Sequence, residues 1–176
     1  MRKLYNLILA VLLTGCVENT AHEHVSVHQV TDHNYEFIGH LYSSDYDNIL
    51  LILEHNPNQQ LNFYVTSDGG TSRHLLTVMD ALYSHGKVNW YVVDHCDSAC
   101  AILALSTKHA TGKVNLHSFY AEHHHVIHMA PQFNHLILAK LETYGYDTLK
   151  LEPMFTTVKK MWPVVLEDGV IVDYGG

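Results

Sequence analysis

Three short runs rich in β-branched and aromatic residues, at 61–65, 88–93 and 114–116, alternate with stretches of helical spacing. No other feature constrains the fold as strongly. Neighbouring parallel strands need a crossover of a dozen or more residues, usually a helix. The alternation therefore predicts an α/β fold of stacked βα units around a mainly parallel sheet. In chain order, residues 35–41 alternate apolar and polar and predict a first strand, and 46–55 predict a helix ended by Pro57 and Asn58. After the second strand, residues 72–85 place Leu75, Leu76, Val78, Met79 and Leu82 on one helical face, and Gly86 stops that helix. The run 88–93 is the third strand, 98–106 a further helix, 108–112 a turn and 114–116 a strand. A histidine-rich loop, a helix over 131–144 and a second helix over 148–161 follow. Trp162 and Pro163 break that helix, and 169–173 closes the chain as a strand.

The chain has 176 residues, enough for one domain with a sizeable core. Its formal net charge is −8, and no basic run follows Arg2 and Lys3, so nucleic acid is excluded as a partner. The first residues have the layout of a secretion signal: a basic start, an apolar stretch over 4–13, then small residues before Cys16. Leu13-Thr14-Gly15-Cys16 resembles a bacterial lipobox, in which Cys16 is lipidated and becomes the mature N-terminus. The competing reading is an ordinary cleaved signal with an incidental cysteine. The expected organisation is a lipoprotein signal at 1–15, a polar tether at 16–33 and a folded domain at 34–176. A lipid on Cys16 would tether the protein to the bilayer of the bacterial cell envelope, at the periplasmic face or the cell surface.

The stretch His95-Cys96-Asp97-Ser98-Ala99-Cys100 lies between the third strand and an apolar helical run. Two readings of Ser98 are open. It is either the helix N-cap, a common place for serine, or a nucleophile held above the strand ends. Unpaired N–H groups at a helix start would stabilise an anionic intermediate there. Two other strand ends point to the same region: Ser67-Asp68-Gly69-Gly70 upstream and His117 downstream. Cys96 and Cys100, four residues apart, are either a disulfide bracing the turn or two buried thiols.

These motifs resemble the superfamily of the Clp protease proteolytic subunit, the ClpP/crotonase-like proteins, and especially its secreted members. Phe37-Ile38-Gly39, Ser67-Asp68-Gly69-Gly70, Cys96-Asp97-Ser98-Ala99-Cys100 and the strand-end His117 carry the resemblance, across roughly residues 35–173. It implies a serine peptidase acting on peptides or unfolded proteins, with Ser98 as nucleophile and His117 as general base. The N–H groups of Gly70 and Ala99 would form the oxyanion hole. It also implies self-assembly into a homo-oligomer of unspecified size. No P-loop is present for ATP-driven unfolding.

Two departures stand out. The segment from Ser98 to His117 is several residues shorter than in the family. The aspartate that completes the family's triad is replaced by Thr156-Thr157-Val158-Lys159-Lys160-Met161-Trp162, with no carboxylate. Asp147, Glu167 or Asp168 would have to substitute, or the enzyme would run on a dyad. The alternative is an inactive surface lipoprotein that binds another envelope protein. No cofactor is called for. His123, His124, His125 and His128 suggest transition-metal chemistry by residue type. Consecutive loop histidines rarely converge, so the expectation is no metal site.

Overall fold

The computed structural model describes residues 26–123, 126–156 and 160–175. The signal, Cys16 and most of the tether lie outside the described residues, as do His124 and His125. The chain has an α/β fold built on a mixed seven-stranded sheet, in the order β1-β2-β3-β4-β5-β8-β9. The strands are β1 (Ser26–Thr31), β2 (Asn34–Ile38), β3 (Leu61–Ser67), β4 (Val88–Cys96), β5 (His109–Leu116), β8 (Trp162–Glu167) and β9 (Val170–Asp173). The central four, β2 to β5, are parallel, and β1, β8 and β9 join antiparallel at the two sides. A separate hairpin pairs β6 (Tyr120–His123) with β7 (Val126–Met129).

The parallel strands are linked by α1 (Ser43–His55), α2 (Leu75–His85) and α3 (Ala99–Leu105); α4 (Pro131–Thr143) and the short α5 (Thr148–Leu151) follow the hairpin. Alternate residues of β2, β3 and β4, among them Phe37, Phe63, Val65 and Trp90, are fully buried with Ile49, Val78, Met79 and Leu82 from α1 and α2. Their rings interlock, Phe37 to Phe63 at 5.0 Å and Phe63 to Trp90 at 5.9 Å between centroids. On the other face Asn34, Asn62 and Asn89 form a ladder of amide hydrogen bonds at 2.8 and 2.7 Å. All seven residues of α3 are buried, so the helix that follows Ser98 is held inside the core.

Several expectations are corrected. Residues 26–31, assigned to the tether, form β1, because their backbone completes the edge of β2. The turn expected at 108–112 is already strand from His109, paired with β4 and β8. The histidine-rich loop is a β-hairpin. The helix expected over 148–161 ends at Leu151 and passes into a 3₁₀ turn at Glu152–Phe155. Pro153 lacks the N–H that a longer α-helix would need. Trp162 and Pro163 begin strand β8 instead of merely breaking a helix.

Between α2 and α4, Lys140 Nζ donates to both oxygens of Asp80, at 2.6 and 2.5 Å, and the Tyr144 hydroxyl donates at 2.8 Å. Partial burial pushes the Asp80 carboxyl up, but the hydrogen bonds from Lys140 and Tyr144 and the lysine charge hold it below its ordinary value. A lowered folded-state value stabilises the fold above the usual carboxylate range and loses that contribution as pH falls through it. Asp80 is half exposed, so the pair contributes at most about 1 kcal/mol. In thermal melts, Asp80→Asn should melt below wild type at pH 7, and the gap should close on acidification.

Candidate active site

The turn that carries Ser98 is fixed from four sides. Asp97 N–H donates to Ser67 O at 2.9 Å, and Ser98 N–H donates to Asn115 O at 2.9 Å. The Asn115 side chain donates to the Asp97 carboxylate at 2.6 Å. Cys96 and Cys100 are joined in a disulfide, with Cα atoms 5.2 Å apart. Gly69 packs on the fourth side: a Cβ there would lie 2.6 Å from Ser98 Cβ and 2.7 Å from Asp97 O.

Within this frame Ser98 has φ 55° and ψ −120°. A non-glycine residue held there costs about 1–3 kcal/mol and persists only where its surroundings over-determine it. A sharp, strained strand-to-helix turn is also how a nucleophilic serine is lifted clear of a sheet. Ser98 occupies the N-cap position of α3, yet its hydroxyl makes no capping hydrogen bond. Ser98 and His117 both line a cavity of about 450 Å³, with His40, Asp68, Gly70 and Tyr120 among its other walls. That volume suits a small ligand or a short stretch of peptide.

The N–H groups of Gly70 and Ala99 have no backbone acceptor among the described residues. Leu41 pairs with Gly70 by bonding the residues on either side of it: Leu41 N–H donates to Gly69 O at 2.7 Å, and Thr71 N–H donates to Leu41 O at 3.0 Å. The Gly70 N–H is therefore not used in this pairing and points away from Leu41. A side chain at Gly70 has no room, since its Cβ would come within 1.9 Å of Leu41 O. The strip is further pinned by the buried Tyr46, whose hydroxyl donates to Thr71 O at 2.6 Å. Burial, and then the Asp45 charge, keep that phenol above its ordinary value, so it remains a donor.

His117 follows directly after β5. Its Nδ1 lies 2.7 Å from Ser118 O. A carbonyl only accepts, so Nδ1 carries a proton, and in the neutral ring Nε2 is then the nitrogen with the lone pair. That is the tautomer a general base for a serine needs. No hydrogen bond joins the Ser98 hydroxyl to His117 among the described residues; such contacts commonly tighten only when substrate binds.

The expected substitutes for the missing aspartate lie elsewhere. Asp168 is paired with His109 at 2.7 Å, at the opposite end of β5 from His117. Eight residues of strand separate those ends by about 26 Å. Glu167 closes the same distant turn, and Asp147 lines a second cavity there with Asp168. Among the described residues no three His, Cys, Asp or Glu side chains converge on a metal site. Sequence reasoning gave no role to Asn115, which acts through its carbonyl and its side-chain amide, to Ser118, which acts through its carbonyl, or to His40, which faces the cavity and pairs with Asp68 at 3.4 Å. Only the position of His40 beside Gly39, at the end of the first strand run, hinted at it.

The disulfide closes a very short loop, for which chain entropy gives about 2 kcal/mol. Cys96→Ser with Cys100→Ser should lower stability in urea titrations by roughly that amount. It should lower turnover further than stability, because the turn that holds Ser98 loses one of its braces.

No family model matches the chain, and no curated protein matches it in sequence. Among solved structures it is similar to a serine-to-alanine mutant of 1510-N, a membrane-bound stomatin-specific protease. The TM-score is 0.56 at 16% identity, covering 69% of this chain and 67% of that one. The protein it resembles has the ClpP/crotonase fold. The likeness is one of fold alone.

Proposed function

We propose that the protein is a serine hydrolase, most specifically a peptidase acting on short or unfolded chains, with Ser98 as nucleophile and His117 as general base. The observation that carries this reading is the strained backbone of Ser98, held by four independent contacts while its hydroxyl makes no capping bond and lines the cavity shared with His117. In the first step His117 Nε2 takes the hydroxyl proton as Oγ attacks the scissile carbonyl. The negative charge that develops on the carbonyl oxygen is met by the Gly70 and Ala99 N–H groups. His117 then returns the proton to the departing amine, and water releases the acyl group by the same route. The peptide substrate class rests on the fold likeness to a protease. Anchoring in a bacterial envelope through Cys16 completes the proposal and rests on the lipobox-like sequence.

The test is cleavage of an unfolded, fluorescence-quenched polypeptide by the detergent-solubilised chain, with cut sites read by mass spectrometry. Wild type is expected to cleave and Ser98→Ala to be inert. Equal cleavage by the two would sink the assignment.

One observation favours a second reading, a non-catalytic lipoprotein that binds another envelope protein. Among the described residues His117 Nδ1 is held by a carbonyl instead of a carboxylate, so the triad's directly bonded negative charge is not there to support its protonated form. Absence of turnover in a folded wild type would select that reading.

A further inference from the structure

We propose that Asn134 is the positioning residue for His117, doing through one peptide group what an aspartate does directly in a full triad. The inference rests on His117 being the base. The Ser118 carbonyl that holds His117 Nδ1 belongs to the same peptide plane as the Phe119 N–H. That N–H donates to Asn134 Oδ1 at 2.9 Å. One end of the peptide is gripped by Asn134 and the other end orients the imidazole, so the peptide cannot rotate without breaking both bonds. A peptide that donates at its N–H is also polarised to accept more strongly at its carbonyl.

The grip is rigid. Asn134 is 4% exposed, and both hydrogens of its Nδ2 are used, on Ser118 Oγ at 2.8 Å and on Phe155 O at 3.2 Å. Its own backbone lies in the first turn of α4, where its N–H donates to Ala130 O, and Ala130 N–H donates back to Phe119 O at 3.1 Å. Further along α4, Ile137 and Leu141 are fully buried and seat the helix in the core. A side-chain amide that satisfies three groups on two other segments in an apolar setting is costly to replace. Phe155 sits immediately before the segment 156–162, which lacks the family's carboxylate. The arrangement sets the tautomer and angle of His117 while placing no charge against it.

The test separates positioning from activity by reading the tautomer directly. Nitrogen-15 spectra of histidine-labelled full chain in detergent, recorded near pH 9 and assigned with His117→Ala, report which ring nitrogen carries the proton. Imidazole is neutral there, well above its ordinary value of about 6.5. Wild type is expected to show His117 protonated at Nδ1. Asn134→Leu, similar in size but without the amide, is expected to show a mixture dominated by the Nε2–H form, with near-native near-UV circular dichroism. Should that variant not fold, Asn134→Asp serves: it keeps an acceptor for the Phe119 N–H and is expected to retain the Nδ1–H tautomer. An Nε2–H tautomer in wild type overturns the proposal, as does an unchanged Nδ1–H tautomer in folded Asn134→Leu or its loss in Asn134→Asp. A locked tautomer in wild type that Asn134→Leu releases, in a protein that hydrolyses nothing, supports the positioning role and sinks the hydrolase reading. Where wild type does turn over, Asn134→Leu should lower kcat at least tenfold and leave KM within about twofold, since Asn134 does not line the cavity of Ser98.

Discussion

Ser98→Ala is expected to abolish peptide hydrolysis, and His117→Ala to lower kcat about 10²- to 10⁴-fold with KM little changed. The two effects differ for a physical reason. In a serine protease with a full triad, losing the base costs about 2 × 10⁶ and losing the carboxylate alone about 3 × 10⁴. An enzyme with no carboxylate starts partway down that scale and has correspondingly less to lose, at the low end about 10². The Ser118 carbonyl, 2.7 Å from Nδ1, restores orientation but not charge, so the wild type should lie above a bare dyad and below a full triad. Single-turnover rates for the two variants check this. A His117→Ala rate within twofold of wild type would remove histidine from the mechanism.

The second large effect is expected at Gly69. Its φ of +96° disfavours any side chain, and a Cβ there would meet Ser98 Cβ at 2.6 Å and Asp97 O at 2.7 Å. Gly69→Ala should destabilise the fold by about 1–3 kcal/mol through backbone strain. It should also displace Ser98 and the neighbouring donors; losing one oxyanion donor costs about 2.7–4 kcal/mol in the transition state, or 10²- to 10³-fold in kcat. Gly145→Ala is the matched control. It has nearly the same φ, +97°, with nothing within 4 Å of its Cβ, and it lies beside the second cavity, away from Ser98. Both substitutions should lower the melting temperature, and only Gly69→Ala should lower kcat a hundredfold or more. Equal kinetic effects would mean that strain alone, and not the packing of Gly69 on Ser98, governs the site.

The parts of the fold that sequence makes legible are those with local periodicity. The three central strands and their helices show as alternating runs, since each strand face and helix stripe must repeat at its own period to fill the core. Ser98, the Gly69-Gly70 turn and His117 show because each ends such a run. β1 and β8 were hidden for different reasons. His28 and the polar residues of 26–31 make an edge strand whose apolar content is two valines. β8 opens with Trp162-Pro163, and proline argues against an internal strand. It is tolerated because β9 pairs only from Val165 onward, leaving that side of Pro163 without a ladder partner. The hairpin β6–β7 was masked by its histidines. The supports of the site were illegible in principle: Asn115 reaches a side chain 18 residues away, and Asn134 reaches backbone groups 15 and 21 residues away. Such contacts follow from packing and leave no local pattern.

Activation of Ser98 as a nucleophile is read out by treating the detergent-solubilised chain with a fluorophosphonate and mapping the adduct by peptide mass spectrometry. A single phosphonyl group on Ser98, absent in Ser98→Ala and slowed at least a hundredfold in His117→Ala, is the predicted result. A folded wild type that carries no adduct, or carries it on another residue, would contradict it.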